Sequence, residues 1–267
     1  MLRIARAALL SATIATLCAG SASSADGLDS TARQAAVAKL ADAVRERYVY
    51  PDVGAKLADT ITANMQDGAY DALGDPVQFT ARLTADLYAV AHDKHLNVMA
   101  PNSPRPNGLP PQPHNQAGIA RADKLQGGIG YIEVVESPPL PQFKPVIEQA
   151  MSALAGSKTL IIDDRRDIGG APASVAYLVS FLVPPGVHIN DVVARTPNTT
   201  DFTRQEFRAQ ATPVNFAGHP IIVLTSALTI SGGEEFAYDV QNLKAATVIG
   251  ETTAGGANPT RAAATSR

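Results

Sequence analysis

The chain has 267 residues, with 22 Lys and Arg against 25 Asp and Glu, a formal net charge of −3, and a single cysteine. That near-neutral, slightly acidic balance argues against nucleic acid or an anionic membrane surface as a partner. One cysteine excludes an internal disulfide framework.

Residues 1–25 read as a secretory signal peptide. Arg3 and Arg6 form a basic start, an apolar stretch runs from Ala7 to Leu17, and Ser23, Ser24 and Ala25 form a small-residue cleavage site. The apolar stretch is too short to span a bilayer, and no later segment is long and apolar enough. Cleavage removes Cys18, so no thiolate chemistry is expected of the mature chain, and losing Arg3 and Arg6 takes the net charge from −3 to −5. Release into a periplasmic or extracellular space is the expected location, with no membrane attachment after signal removal. The remaining length of about 240 residues suffices for one large domain, or for one domain with a smaller helical addition.

Residues 26–100 read as helical. Val37, Leu40, Ala41, Val44 and Tyr48 recur at helical spacing, and Val53, Leu57, Ile61 and Met65 form an i, i+4 ridge. Asp75-Pro76 opens a third helix, with Phe79, Leu83, Leu87 and Val90 on its buried face. Residues 101–117 are rich in proline and read as a linker. From residue 118 onward strands and helices alternate. Strands are predicted at 130–134, 159–163, near Val192-Val193, at 221–225 and at 246–250; helices are predicted at 143–154, at 172–182 and after Ser231. Such alternation implies an α/β fold with a largely parallel sheet covered by helices.

Ser231 lies between the apolar run 221–225 and the last helical stretch. At a strand-to-helix junction the backbone N–H groups lack partners and the helix dipole favours negative charge, the environment that a serine nucleophile and its oxyanion need. The spacing of Ser231 and Glu234 also fits a capping box. Gly232 and Gly233 weigh the other way, since glycine is unfavourable in a helix interior by roughly 1 kcal/mol against alanine, whereas it lets a carbonyl approach the Gly232 N–H. A second glycine pair, Gly169-Gly170, follows the 159–163 strand; it reads either as a backbone nest supplying another oxyanion donor or as a tight turn into a helix.

A serine nucleophile needs a base. Lys244 is 13 residues after Ser231, roughly 20 Å along a continuous helix, and arginine does not deprotonate. The base is therefore sought among His92, His95, His114, His188 and His219. His95 stands out, placed where helical periodicity gives way to a short extended run, a position that also suits a solvated or capping histidine. The histidines are too scattered for a metal centre, with His92 and His95 a weak i, i+3 pair. Asp163-Asp164 comes without a phosphate-binding loop, and the G-x-G-x-x-G spacing of a dinucleotide site is absent. No metal or other cofactor is expected.

Five stretches in order carry a family resemblance: the helical block 29–92, Asp93-Lys-His-Leu-Asn-Val98, Gly128-Ile-Gly-Tyr-Ile132, Leu160-Ile-Ile-Asp-Asp-Arg-Arg-Asp-Ile-Gly-Gly170, and 225–256, which includes Gly-Glu-Thr-Thr-Ala-Gly-Gly. Together they resemble the tail-specific (C-terminal-processing) serine protease family, most of all its branch with the tricorn protease core and the interphotoreceptor retinoid-binding protein modules. The resemblance implies a crotonase-like core of repeated strand–strand–helix units over 118–267, with an N-terminal three-helix subdomain. It implies hydrolysis of peptide bonds in a peptide or protein substrate. Ser231 corresponds to the nucleophile, His95 to the general base, and the Gly232 N–H with an N–H of the Gly169-Gly170 loop to the oxyanion site. The 29 residues between Val98 and Gly128 are too few for the PDZ domain that many relatives insert there. Where the family has Asn-Gly-Gly-Gly, this chain has Asp167-Ile168-Gly169-Gly170. A supporting glutamate that the tricorn-like branch draws from a later segment has no counterpart before Arg267, so the sequence is expected to be C-terminally truncated relative to that branch. Two alternatives on the same fold stand beside the peptidase: a non-catalytic binder of an apolar ligand or peptide, and an inactive truncated member.

Overall fold

A computed structural model describes residues 27–101, 117–256 and 258. The signal-type segment, most of the proline-rich stretch, residue 257 and residues 259–267 lie outside the described residues. The fold is mixed α/β, with six helices and a mainly parallel sheet among the described residues.

Three helices come first. α1 (Ser30–Arg47) is capped by Asp29, whose side chain accepts the Ala32 N–H at 2.7 Å. α2 (Pro51–Gln66) and α3 (Pro76–Ala91) both begin with proline at the first helical turn, where its missing N–H removes no helical bond. The Asp75 carboxylate caps α3 by accepting the Gln78 N–H at 2.8 Å. Their apolar faces meet in one cluster built on Val37, Leu40, Leu57, Ile61, Phe79 and Leu83. α3 ends at His92 in the left-handed region (φ 51°). The chain then folds back along the helix, held by Val98 N–H donating to Thr84 Oγ1 at 2.9 Å. That reversal brings His95 out of the helical layer.

The second layer is a five-stranded sheet in the order β1 (Ile119–Leu125), β2 (Ile129–Val134), β3 (Thr159–Asp163), β6 (Ile221–Thr225) and β7 (Thr247–Gly250). β1 runs antiparallel to β2, and every other pairing is parallel. α4 (Leu140–Ala153), α5 (Pro172–Val179) and α6 (Gly232–Asn242) pack against it, around Ile132, Phe143, Leu160, Tyr177, Val223 and Phe236. Each such side chain contributes roughly 1.5–3 kcal/mol on burial, so this cluster fixes where the ends of β3 and β6 lie. β4 (His188–Arg195) and β5 (Phe202–Arg208) form a separate antiparallel hairpin. Near its tip, Arg195 Nη1 donates to the carbonyls of Arg45 and Tyr48 at 3.1 and 3.0 Å, and Asn198 N–H donates to Glu46 O at 3.1 Å. The hairpin thereby grips the end of α1.

Most predicted elements sit where periodicity put them, with β3 and β6 matching residue for residue. α4 begins three residues before the expected Phe143, because Pro141 falls in its first turn, where proline is tolerated. β1 and β5 were not expected; their polar faces carry no apolar alternation.

Candidate active site

Both strand ends face the same spot. After β6 the chain turns through Ser226–Ile230 and enters α6 at Ser231, whose backbone stands at φ 60°, ψ −120°. A capping residue normally adopts extended backbone, and a non-glycine side chain at positive φ outside the left-handed helical basin is strained by about 1–3 kcal/mol. The Glu234 half of the expected capping box is in place: its carboxylate accepts the Ser231 N–H at 3.0 Å. The same carboxylate accepts the N–H groups of Gly255 and Gly256, both at 2.6 Å. Burial pushes the Glu234 pKa up, but the Thr253 hydroxyl and the N–H groups of Gly256, Gly255 and Ser231 outweigh it and hold it below the usual range. Glu234 is therefore an ionised clasp between the serine turn and the segment after β7.

The glycine loop after β3 meets this turn backbone to backbone. A Cβ on Gly169 would lie 2.3 Å from Gly232 N and 2.7 Å from Ser231 Cβ, and one on Gly232 would lie 2.8 Å from Gly170 N. Gly169 and Gly170 also stand at φ +83° and +153°, which side chains rarely adopt. The Gly169 N–H donates to Asp167 Oδ1 at 2.7 Å and so is occupied. Among the described residues neither the Gly170 N–H nor the Gly232 N–H donates to a protein acceptor. Of the two loop glycines expected as donors, Gly170 is the one with its N–H open.

His95 reaches the same place from the helical layer. A Cβ built on Gly256 would lie 3.1 Å from His95 Nε2 and 3.1 Å from Ile230 Cγ1. The imidazole is thus beside the residue preceding Ser231, although no hydrogen bond joins it to the serine. On its other side Nδ1 is buried, 3.9 Å from Asp93 Oδ1 and without a closer partner. Asp93, itself buried, accepts the His95 backbone N–H at 2.8 Å, the Tyr48 hydroxyl at 3.0 Å and Asn258 Nδ2 at 2.8 Å. Sequence reasoning missed this carboxylate; its signal was the acid two residues before the histidine. The other histidines lie elsewhere: His92 caps α3, His188 pairs with Asp191, and His219 meets the Phe216 ring edge to face. His114 lies outside the described residues.

A groove of about 480 Å³ opens next to these groups, lined by Ala85, Tyr88, Asp93, Leu96, Ile168 and Ile230; its lining reaches Ile230 and Asp93 but not Ser231 or His95. Tyr131, Phe181 and Phe202 do not line it. Tyr131 donates to Asp163 at 2.7 Å, Phe181 is core, and Phe202 is solvent-exposed on the hairpin. Arg165 and Arg166 are engaged by Asp163 and Glu133. Among the described residues no cluster of three or more His, Cys, Asp or Glu is arranged to hold a metal, and no helix is long and apolar enough to cross a membrane.

Comparison with known proteins identifies the family. Residues 128–263 match the model of Peptidase family S41, and residues 30–125 match the N-terminal domain of Peptidase S41 in eukaryotic IRBP. The fold is similar to that of a candidate peptidase from Parabacteroides merdae ATCC 43184, at 19% identity over 84% of this chain and 77% of that one, with a TM-score of 0.58. It is also similar to a lipoprotein from Streptococcus agalactiae, at 15% identity over 84% and 77%, with a TM-score of 0.50. A shorter match, at 21% identity over 52% of this chain, covers 36% of the photosystem II D1 C-terminal processing protease, with a TM-score of 0.40. The family models span both the helical layer and the sheet layer, and they imply a serine-type hydrolase acting on peptides or proteins. The chain belongs to peptidase family S41, the tail-specific serine proteases.

Proposed function

We propose that the protein is a serine-type endopeptidase with a crotonase-like core, acting in the periplasm or outside the cell after loss of residues 1–25, with Ser231 as nucleophile and His95 as general base. The observation that carries this reading is the strained Ser231 turn, set against two backbone N–H groups, those of Gly232 and Gly170, with no protein acceptor among the described residues.

The chemistry follows from the geometry. In this reading a peptide lies along the groove and extends past Ile230, so that its scissile carbonyl reaches Ser231. The Ser231 hydroxyl gives its proton to His95 Nε2 as Oγ bonds to the carbonyl carbon. Asp93, facing Nδ1, favours the tautomer that leaves Nε2 free to accept, and it stabilises the imidazolium. Negative charge builds on the carbonyl oxygen between the Gly232 and Gly170 N–H groups, at the N-terminus of α6. Collapse breaks the C–N bond, and His95 returns the proton to the departing amine. Water then repeats the sequence on the acyl-enzyme. The Ser231–His95 hydrogen bond forms when substrate closes the groove, as catalytic bonds often tighten only in the bound complex.

Labelling with a serine-directed fluorophosphonate tests the reading. An adduct on Ser231, absent from Ser231→Ala, is expected. A folded full-length protein that forms no adduct at Ser231 overturns it.

A further inference from the structure

Asp164 and Asp167 are fully buried beneath the glycine loop, at 0% and 1% exposure. Among the described residues no N–H or O–H donates to either Asp164 oxygen. The Asp167 N–H donates to the Asp164 carbonyl at 3.1 Å, so both side chains spring from one buried turn, and each carboxyl is the other's side-chain partner. Two buried carboxylates in contact repel and are both stripped of water, an arrangement that neighbouring cations would have to relieve. None faces them. The charged neighbours are Asp163, already paired with Arg165, and Glu136; the β6–α6 side offers only the uncharged Thr229 and Ile230. A single proton relieves the repulsion. Held on Asp164, it makes that group a donor to Asp167 and leaves Asp167 ionised to accept the Gly169 N–H at 2.7 Å.

Asp167 touches both halves of the oxyanion site. Its side chain holds Gly169, its carbonyl accepts the Ile230 N–H at 3.0 Å beside Ser231, and its Cβ would lie 3.1 Å from a Cβ built on Gly233. By taking the Gly169 N–H it leaves Gly170 as the open donor of the loop. We propose that Asp164 and Asp167 share one proton at neutral pH, and that this buried acid–carboxylate pair is the positioning device that clamps the Gly169–Gly170 loop against the Ser231 turn. Its effect on hydrolysis rests on the acyl-transfer reading of Ser231; the shared proton and the clamp do not.

The direction of titration agrees. Burial, then repulsion from Asp167, drives Asp164 well above the carboxylate range. Burial also raises Asp167, opposed by the hydrogen bonds from Asp164 and Gly169, so that it is pushed up to about 6. Between pH 6 and 8 the folded protein then binds one proton that the unfolded chain has released. Stability from this pair is full below the unfolded carboxylate pKa and is lost as pH rises through the folded values.

Asp167→Asn separates the parts. Its amide oxygen still accepts the Gly169 N–H, and its amide nitrogen donates to an ionised Asp164, so the pair keeps its charge without a proton. Unfolding equilibria measured between pH 6 and 8 are expected to steepen by about tenfold per pH unit in the wild type relative to D167N, the signature of one extra bound proton. The slope common to both reports all other groups. Gly169 amide exchange is expected to be slow in the wild type and D167N and fast in D167A, and fluorophosphonate labelling to be at least tenfold slower in D167A than in D167N. Coincident pH slopes for wild type and D167N overturn the shared proton, and unchanged Gly169 exchange in D167A overturns the clamp. If D167A does not fold, the slope comparison decides alone. If no variant is labelled, the Ser231 reading fails while the proton count and amide exchange still judge the pair.

Discussion

Replacing Gly169 with alanine tests the loop-to-loop approach on which the proposed oxyanion site depends. The new methyl would stand 2.3 Å from Gly232 N, 2.7 Å from Ser231 Cβ and 2.8 Å from Ile230 O, with the backbone at φ +83°. The left-handed backbone alone is unfavourable for alanine by about 1–2 kcal/mol. Overpacking against atoms that cannot swing aside adds about 1–3 kcal/mol, so the expected loss of stability is about 2–5 kcal/mol. Relief requires the loop to retreat from α6, which draws the Gly170 N–H away from its partner donor. Loss of one oxyanion donor typically lowers the rate by about 10²–10³. Gly156→Ala is the control, since Gly156 has φ +80° but no atom within 4 Å of its Cβ position. It should show the backbone penalty alone. Urea unfolding of both variants, with fluorophosphonate labelling rates, makes the comparison. Equal midpoints for the two, with G169A labelled at the wild-type rate, would refute the close approach.

Four further outcomes are expected. His95→Gln should slow labelling of Ser231 by about 10²–10⁴, with an unchanged unfolding midpoint. Asp93→Ala strands the Tyr48 hydroxyl, the Asn258 amide and the His95 N–H, so denaturant titration should show a loss of about 1–3 kcal/mol and labelling should slow. Burial pushes the Asp239 pKa up, Asn190 opposes, and repulsion from Glu235 adds to it, reaching about 7. Its stabilising contribution is full below about pH 4 and is lost as pH rises through 7, so the midpoint should fall from pH 5 to pH 8 less in Asp239→Asn than in the wild type. Ala85→Phe narrows the groove; peptide hydrolysis should show a raised KM with kcat little changed, and an unchanged KM would remove the groove as the substrate's path.

The legible parts of the sequence were those where one physical term dominates. β3 and β6 are short apolar runs buried in the sheet, so their bounds could be read directly, and Pro51, Pro76 and Pro172 announce helix starts. β1 and β5 were invisible because their stability comes from cross-strand hydrogen bonds, with residues such as Arg121, Asp123, Arg204 and Glu206 in solvent. Ser231, Gly232 and the glycine pair were visible because each combines a residue type with a position at an element end. Asp93 was passed over since its partners Tyr48 and Asn258 are 45 and 165 residues away, a meeting that only tertiary packing creates. The second role of Glu234 was hidden likewise: capping spacing explained it locally, while its bonds to Gly255 and Gly256 depend on how β7 returns to the sheet.

The hairpin grip on α1 has a mechanical consequence. The imidazole rides on one apolar nucleus and the hydroxyl on another, so their alignment is a property of the joint and of neither nucleus by itself. Arg195 and Asn198 fasten that joint through carbonyls at the end of α1, much as a strut fixes the angle between two beams. A cut at the hairpin tip would leave both beams sound and let the angle drift, so that the proposed alignment of His95 with Ser231 would be lost while the secondary structure stood intact.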